Sequence, residues 1–277
     1  MRRPVDGPSP GEFLLSWAES ELRDGLRGYG RPFEIFGQGS RVNGTHLDHD
    51  SDIDLVLMLT EPGAGPLTES GVGLLTEPGA RWQAFRDDVL AVLGESHVVR
   101  MGRRCLNVDD PDSLFAEMVD ILVATEHRWS PDPGSGHYEQ GVFFHDLQGR
   151  PIVNFPKQHR RNGDAKDLRT GGRFKETVRT VKRARRWAER HRLLDDGAAP
   201  SYLLECLLFN VPDLVYRAAP GAAHREAVAW LRHHFDEAPE SFAALPCQNG
   251  INRLFGPGPD QWEPGAAARI IDVLHQI

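Results

Sequence analysis

Two aspartates at alternate positions follow a Gly-Ser pair within residues 36–59, FGQGSRVNGTHLDHDSDIDLVLML. On a strand, Asp52 and Asp54 point to the same face with their Cα atoms about 6.6 Å apart, so both carboxylates can bind one divalent cation or a pair of cations. The backbone N–H groups of a turn at Gly39 and Ser40 suit a phosphate group. This spacing predicts a metal-dependent site for phosphoryl transfer.

The same aspartates allow two other interpretations. Asp48, Asp50 and Asp52 have the spacing of the first three ligands of a calcium loop, but Ile53 stands where that loop needs glycine and Leu59 where it needs glutamate. A polar turn with solvated carboxylates is the other alternative. The strand that follows is apolar, so two aspartates at its start are costly without a cation, and we favour the metal site.

A third carboxylate is expected at Asp120, within the apolar stretch AEMVDILVAT of residues 116–125. A lone carboxylate among buried apolar residues needs a partner. We interpret Asp120 as a metal ligand. An ion pair with Arg103 or Arg104 is the alternative.

These residues must be positioned by several helices and strands that hydrophobic periodicity predicts. A first helix begins at Ser9-Pro10 and ends before Gly28. Another begins within 41–45, after the Gly-Ser turn, and residues 60–80 form a Gly-rich insertion. The remaining predicted helices are 82–93, 202–209, 222–235, 265–277 and one that starts at residue 173. The predicted strands are 33–36, 53–59, 105–108, 116–125, 141–147 and 152–155.

Composition excludes some classes of protein. The chain has 277 residues, a net charge of −8 and a pI near 5.8, which does not favour a protein that coats nucleic acid. Three cysteines without a CxxC pair predict neither a disulfide framework nor a zinc finger. No apolar run reaches the length of a membrane span. We expect a cytoplasmic protein with no membrane partner and no stable nucleic-acid partner.

Positive charge is concentrated in residues 157–192, which carry fourteen Lys or Arg and four Asp or Glu, a net charge of +10 in a chain of −8. From residue 173 the pattern is helical, with Phe174, Val178 and Val181 on the apolar face. Arg179 and Lys182 belong to a basic stripe on this helix. Most such cations are solvated, but we expect one or two to bind a triphosphate.

Four segments, taken together, resemble the cGAS/DncV-like branch of the DNA polymerase beta-like nucleotidyltransferase superfamily. They are GSRVNGTHLDHDSDIDLVL, EMVDILVA, IVNFPKQHRRNGDAKDLRTGGRFKETVRTVKRARRW and PSYLLECLLFNVP. The resemblance implies an α+β fold in which residues 1–155 form the catalytic core, a mixed sheet with a bracing N-terminal helix. Residues 156–277 would form a helical lobe, with the active site in the cleft between them.

The resemblance also implies a role for each residue that matches a motif. Three aspartates would hold two Mg²⁺ or Mn²⁺ ions and carry the catalysis: Asp52, Asp54 and Asp120. Five residues would bind the donor nucleotide: Gly39, Ser40, Lys182 and Ser201 at the triphosphate, and Tyr202 stacked on the base. Arg179 is a further candidate for nucleotide binding. No zinc-binding insertion of the DNA-sensing animal enzyme is recognisable.

The implied function is the joining of nucleoside triphosphates, such as ATP, GTP or pyrimidine nucleotides, into a cyclic oligonucleotide second messenger of the bacterial anti-phage type, with release of pyrophosphate. Regulatory or effector proteins of a defence operon would be its partners. One alternative is nucleotidyl transfer to another acceptor, such as a tRNA end, a small molecule or a protein. The other is a catalytically silent nucleotide sensor.

Overall fold

A computed structural model describes residues 10–47, 53–60, 76–109, 119–132, 134–217 and 221–277, and places the chain in two units. The first unit comprises Met1–Gly39 and Asp52–Val153, and the second Ser40–Ser51 and Asn154–Ile277. The division after Val153 lies two residues before the predicted boundary at residue 155. The sequence did not indicate that residues 40–51 belong with the second unit.

A mixed sheet forms the centre of the first unit. Its strands follow the order β1-β2-β5-β4-β3, and β6 pairs with both β5 and β7. The pairing of β2 with β5 is parallel, whereas β1 with β2, β4 with β5, and β5 with β6 are antiparallel. The strands are β1 (Phe33–Gln38), β2 (Ile53–Leu59), β3 (Val98–Met101), β4 (Leu106–Asp109), β5 (Val119–Trp129), β6 (Glu139–His145) and β7 (Pro151–Asn154).

The sequence of β2 is apolar at nearly every position because both of its faces are buried. Leu55 and Leu57 pack in a cluster with side chains of α1 (Pro10–Leu26) and α3 (Thr76–Gly94). Val56 packs on the opposite face, in a cluster with Leu122 and Phe144. A short helix α2 (Gly39–Val42) follows β1, and a 3-10 turn (Arg27–Tyr29) follows α1.

Helices α4 to α9 build the second unit around their own apolar core. Phe174, Val178 and Val181 of α5 lie in this core, as the periodicity predicted, and the rings of Tyr216 and Phe242 are fully buried there. The helices are α4 (Pro156–Arg169), α5 (Arg173–Arg190), α6 (Ser201–Asn210), α7 (Ala223–Glu237), α8 (Pro239–Ala243) and α9 (Pro264–Gln276). None of the helices in the described ranges has the length and hydropathy of a membrane span.

Several elements differ from the predictions. The helix expected to begin within 41–45 is wrong, because α2 already ends at Val42 and the chain turns at Gly44, whose φ is +67°. Helix α3 begins at Thr76, earlier than residue 82, while residues 61–75 of the Gly-rich insertion lie outside the described ranges. Helix α4, helix α8 and strand β3 were not predicted.

The second unit contains a buried ion pair that shows how it accommodates its positive charge. Lys166 is 3% exposed, and its Nζ donates to Asp213 and to the carbonyl of Val211, both at 2.7 Å. Arg169 donates to the other carboxylate oxygen of Asp213 at 2.6 Å. Burial lowers the pKa of Lys166, although Asp213 favours its charged form. The ammonium group therefore depends on this carboxylate.

We expect Asp213→Ala to lower the free energy of unfolding by about 3 kcal/mol, because it leaves the buried Lys166 ammonium without its anion. Asp24→Ala is the control, since Asp24 pairs with Arg27 on the surface at 2.8 Å and its loss should cost less than about 1 kcal/mol. Urea unfolding followed by circular dichroism measures both. Equal costs for the two substitutions would contradict the proposed dependence.

Candidate functional site

The parallel pairing of β2 with β5 sets two of the predicted catalytic carboxylates side by side. Asp54 is the register partner of Asp120, so the two residues occupy equivalent positions on neighbouring strands about 4.8 Å apart. Residues in register project to the same face of a sheet. Both aspartates are only partly buried. The first unit thus brings Asp54 and Asp120 together, as the sequence predicted.

Gly39 lies directly against one of these carboxylates. The residue follows β1, whose last residue Gln38 is paired with Asp54. A Cβ atom built on Gly39 would overlap the carboxylate of Asp54, and the φ of Gly39 is +76°. Only glycine lacks a Cβ atom and also adopts this positive φ without strain. The predicted phosphate turn and the predicted metal ligand therefore meet at this point.

Strand β4 adds residues that the sequence did not single out. Asn107 is the register partner of Asp120 and its side-chain amide donates to the Asp120 carboxylate. Nearby, burial raises the pKa of the Cys105 thiol to about 12, with further contributions from the negative charges of Asp120 and Asp54. The two aspartates thus produce a negative field in a partly buried place.

That field fits a hard divalent cation, because carboxylate oxygens are the preferred ligands of Mg²⁺ and a cation relieves the repulsion between adjacent carboxylates. Asp52, the other predicted ligand, lies outside the described residues. Within the described ranges no three His, Cys, Asp or Glu side chains gather as a metal-binding group. Asp54 and Asp120 are thus the two predicted ligands that the described residues place side by side.

The remaining predicted residues belong to the second unit, where the segment 40–47 is held by α5 and α6. The backbone N–H of Thr45 donates to the Ser40 carbonyl at 2.9 Å, which closes the turn after Ser40. Arg179 donates to the Gly44 carbonyl at 2.6 Å. Lys182 donates to the carbonyl and the hydroxyl of Thr45, both at 3.2 Å. Two predicted nucleotide-binding cations therefore fix the segment that follows Ser40.

One buried carboxylate connects these contacts. Glu205 of α6 is 4% exposed and accepts hydrogen bonds from Lys182 at 2.5 Å and from the Thr45 hydroxyl at 2.7 Å. It also contacts His159 Nε2 at 3.0 Å and the Asn43 amide at 3.5 Å. Burial alone raises the pKa of Glu205, but the hydrogen bond from His159 and the charge of Lys182 lower it to about 2. Glu205 is thus ionised in the folded chain.

Tyr202 lies in the second residue of α6, directly after Ser201. Its ring stacks on His159 at 5.0 Å between centroids and lies 6.0 Å from the ring of Trp262 at a similar tilt. Its hydroxyl is 3.4 Å from the Asn154 side-chain oxygen. Burial raises the pKa of this phenol well above 10, so it is neutral. Through His159, the Tyr202 ring is connected to Glu205.

Comparison with known proteins identifies the fold and the family. The model of the cGAS/DncV-like nucleotidyltransferase C-terminal helical domain matches residues 161–277. The chain is 32% identical over 260 residues to the cyclic UMP-AMP synthase of Rhodothermus marinus, covering 90% of this chain and 85% of that protein. The chain belongs to the cGAS/DncV-like nucleotidyltransferase family.

Two further comparisons agree with this assignment. The cyclic nucleotide synthase CdnE01 of Staphylococcus haemolyticus is 28% identical over 262 residues, covering 88% of this chain and 84% of that protein. The structure of the Rhodothermus marinus CdnE c-UMP-AMP synthase with Apcpp and Upnpp superposes with a TM-score of 0.77 at 30% identity, covering 94% of this chain and 89% of that one. The α+β fold expected from the sequence is confirmed, and the chain is a nucleotidyltransferase of the cyclic nucleotide synthase type.

In this cGAS/DncV-like chain, sequence reasoning missed Asn107, Thr45, His159 and Glu205. A signal existed for Glu205, the only charged residue in the apolar helix SYLLECLLFN. Like Asp120, Glu205 is a lone carboxylate in an apolar stretch and therefore needs a partner. Thr45 and His159 lie in polar segments and Asn107 in a short predicted strand, where nothing in the sequence distinguishes a hydrogen-bonding partner from a solvated side chain.

We expect Gly39→Ala to abolish nucleotidyl transfer by this cGAS/DncV-like chain, because the added methyl displaces the Asp54 carboxylate. Gly30→Ala is a matched control, since Gly30 also has a positive φ, +65°, but no atom lies within 4 Å of the added Cβ. Both substitutions should cost about 1 kcal/mol of backbone strain. Product formation is measured beside thermal unfolding. Loss of activity in both variants would show that strain, not the overlap with Asp54, is responsible.

We expect Glu205→Gln to cost about 3 kcal/mol at pH 7, because buried Lys182 loses its anion. The folded pKa of Glu205, about 2, lies below its ordinary 4.5. Its contribution to stability is therefore present above pH 4.5 and is lost as the pH falls toward 2. Urea unfolding at pH 7 and pH 3 should show the wild type approaching the variant at the lower pH. Glu240→Gln, on an exposed residue, should change neither value, and a pH-independent difference for Glu205→Gln would refute the assignment.

Proposed function

We propose that this chain joins nucleoside triphosphates into a cyclic dinucleotide, with a uridine and an adenosine nucleotide as substrates. The pairing of Asp54 with Asp120 against Gly39 carries the proposal, because it is a two-carboxylate site next to a glycine turn suited to phosphate. The base choice rests on the likeness to a relative named for UMP and AMP. A role in anti-phage signalling agrees with the family.

The reaction requires an acceptor hydroxyl oxygen to attack the α-phosphorus of a donor triphosphate. A P–O bond forms, the bond to pyrophosphate breaks, and the hydroxyl proton must leave. We assign Asp120 as the group that accepts this proton, since Asn107 donates to one of its carboxylate oxygens and thereby holds the carboxylate in one orientation. A second transfer between the two ends closes the ring.

Asp52, Asp54 and Asp120 would hold the divalent cation, Mg²⁺ or Mn²⁺, which supplies Lewis-acid stabilisation of the phosphoryl oxygens when bound. The fit rests on the strand register that sets the Asp54 and Asp120 carboxylates side by side. The presence of two ions, as the resemblance implied, remains a prediction. It should appear as a sigmoidal dependence of the rate on metal concentration.

Gly39, Ser40, Ser201, Lys182 and Tyr202 are proposed to bind the donor. Lys182 already uses all three of its N–H donors, on Glu205 and on two oxygens of Thr45. Contact with a triphosphate would therefore require Lys182 to release one oxygen of Thr45.

Arg179 supports the donor site by holding the Gly44 carbonyl. Cytoplasmic location and regulatory or effector partners from a defence operon remain predictions.

We expect Asp54→Asn and Asp120→Asn to reduce product formation by at least about 10³-fold while leaving the folded state as stable as before, since removing a carboxylate relieves repulsion. Asp24→Asn, at an exposed aspartate, is the control. The assay incubates the chain with labelled UTP and ATP in Mg²⁺ or Mn²⁺ and then with phosphatase. A phosphatase-resistant product from either variant at the wild-type rate would remove that aspartate from the site.

The same assay separates the alternatives. Label that appears on RNA, on a small hydroxylated molecule or on protein would establish a nucleotidyltransferase with another acceptor. Nucleotide binding without turnover would establish a silent sensor. Omitting each triphosphate in turn and weighing the product by mass spectrometry tests the assignment of uridine and adenosine.

A further inference from the structure

A cavity of about 380 Å³ opens in the first unit at the point where the pairing partner of β5 changes from β4 to β6. On one edge of β5, strand β4 pairs as far as Ile121 and strand β6 begins at Thr125. In the described part of the chain neither strand reaches residues 122–124. The Trp82 indole donates to the Val123 carbonyl at 2.8 Å and thus satisfies an oxygen in this gap. Asp54 and Asp120 do not line the cavity.

Three arginines line this cavity: Arg86, Arg103 and Arg104. The Arg86 guanidinium lies 5.2 Å from the centroid of the Trp82 ring and contacts the Met101 sulfur at 3.1 Å. Among the described residues, neither Arg86 nor Arg103 forms an ion pair with a carboxylate. Arg86 and Arg103 thus bring charge to the cavity that no carboxylate in the described ranges neutralises.

One carboxylate, Asp146, occurs among the described lining residues, and it is already bound. Arg150 pairs with it at 2.6 Å, and the backbone N–H groups of Gln148 and Arg150 donate to it at 2.9 Å. These contacts lie within the β6–β7 turn. Asp146 therefore does not serve as the counter-ion of Arg86 or Arg103.

The position of Arg103 and Arg104 is not explained by turn chemistry. They form the tip of the β3–β4 hairpin, which the N–H of Gly102 closes on the Cys105 carbonyl at 2.9 Å. The favoured two-residue hairpin turns need positive φ and therefore glycine or asparagine, but neither arginine has a positive φ. Turn preference therefore does not account for the arginine at position 103.

The rest of the wall is fixed and largely apolar. The N–H of Leu147 donates to the Arg103 carbonyl at 3.1 Å, which ties the hairpin tip to the β6–β7 turn. His145 contacts Trp82 with 5.0 Å between ring centroids, and burial lowers its pKa, so the ring is neutral at pH 7. Ile121 and Val123 form the back. The volume falls within the roughly 300–1,000 Å³ of small-molecule pockets.

We propose that this cavity binds a phosphorylated small molecule, whose phosphate group contacts Arg86 and Arg103 and whose body rests against the apolar back wall. Guanidinium groups favour phosphate because their N–H groups match its oxygens in pairs. A free inorganic anion and a nucleotide share this chemistry. The proposal does not depend on the reaction that the chain catalyses.

Isothermal titration calorimetry tests the proposal on the full chain in EDTA, with orthophosphate, pyrophosphate and UMP as separate probes. We expect saturable binding of at least one probe, weakened about tenfold or more by Arg86→Gln and by Arg103→Gln, since each removes charge-assisted hydrogen bonds. Arg27→Gln, on an exposed arginine, and Asp54→Asn should leave this binding intact. Tighter binding of UMP than of either inorganic anion would support the contact between the ligand's body and the apolar wall, and the reverse order would rule out that contact.

Two results would overturn the proposal. One is the absence of saturable binding of all three probes at millimolar concentration. The other is binding that survives both arginine substitutions, because the bound probe would then lie elsewhere. Arg103 is exposed at a hairpin tip, so its variant is expected to fold, and circular dichroism of each variant confirms that the comparison is between folded proteins.

Discussion

Parallel pairing of β2 with β5 is the constraint on which the proposed catalytic site depends. It places Asp54 beside Asp120, where their charges repel, and it buries apolar side chains on both faces of the two strands. The gain from burying Leu55, Leu57, Ile121 and Val123 is about 1.5–3 kcal/mol for each side chain, more than the repulsion between two partly exposed carboxylates costs. The sheet can therefore maintain an electrostatically unfavourable pair, and the cation proposed to bind there would meet two carboxylates already in place.

The second unit uses charge in the opposite way. Glu205 and Lys182 are both buried, and each would be destabilising without the other. Such a pair favours one packing of the surrounding side chains, because a buried charge is stable only where its partner lies within hydrogen-bonding distance. Here the arrangement fixes Thr45, and with it the segment that follows Ser40. The position of residues 40–47 therefore depends on an ion pair in the helical core, which explains why these residues belong to the second unit.

The sequence predicted the elements whose signal is local and missed those whose signal is not. Hydrophobic patterns identified β1, β2, β5 and the apolar face of α5. Asp54, Asp120 and Gly39 were therefore predicted together. Helix α4 was missed because its buried residues include Gln158, His159 and Lys166, which hydrophobic periodicity does not detect. Strand β3 is short and largely exposed.

Contacts between distant residues were also beyond the reach of the sequence. Thr45 and Glu205 are separated by 160 positions, and nothing in either segment identifies the other as its partner. The stripe on α5 was recognised as basic. Which of its cations face solvent, bind backbone carbonyls or pair with buried carboxylates follows from tertiary packing. The same holds for Asn107, whose role arises only from its register with Asp120.

Net charge along the sequence is consequently a poor guide to where an anion binds. Residues 157–192 carry a net charge of +10, yet several cations in this range are committed within the unit, namely Lys166 and Arg169 to Asp213, Lys175 to Asp164, Arg179 to Gly44 and Lys182 to Glu205. Arg86 and Arg103 come from a region without such an excess, and in the described structure they line a cavity without a carboxylate partner. Whether a cation can bind a ligand is therefore decided by its neighbours in the fold. An arginine that already pairs with a carboxylate is stabilised little by a phosphate, whereas an arginine beside an apolar wall acquires a counter-ion when phosphate binds.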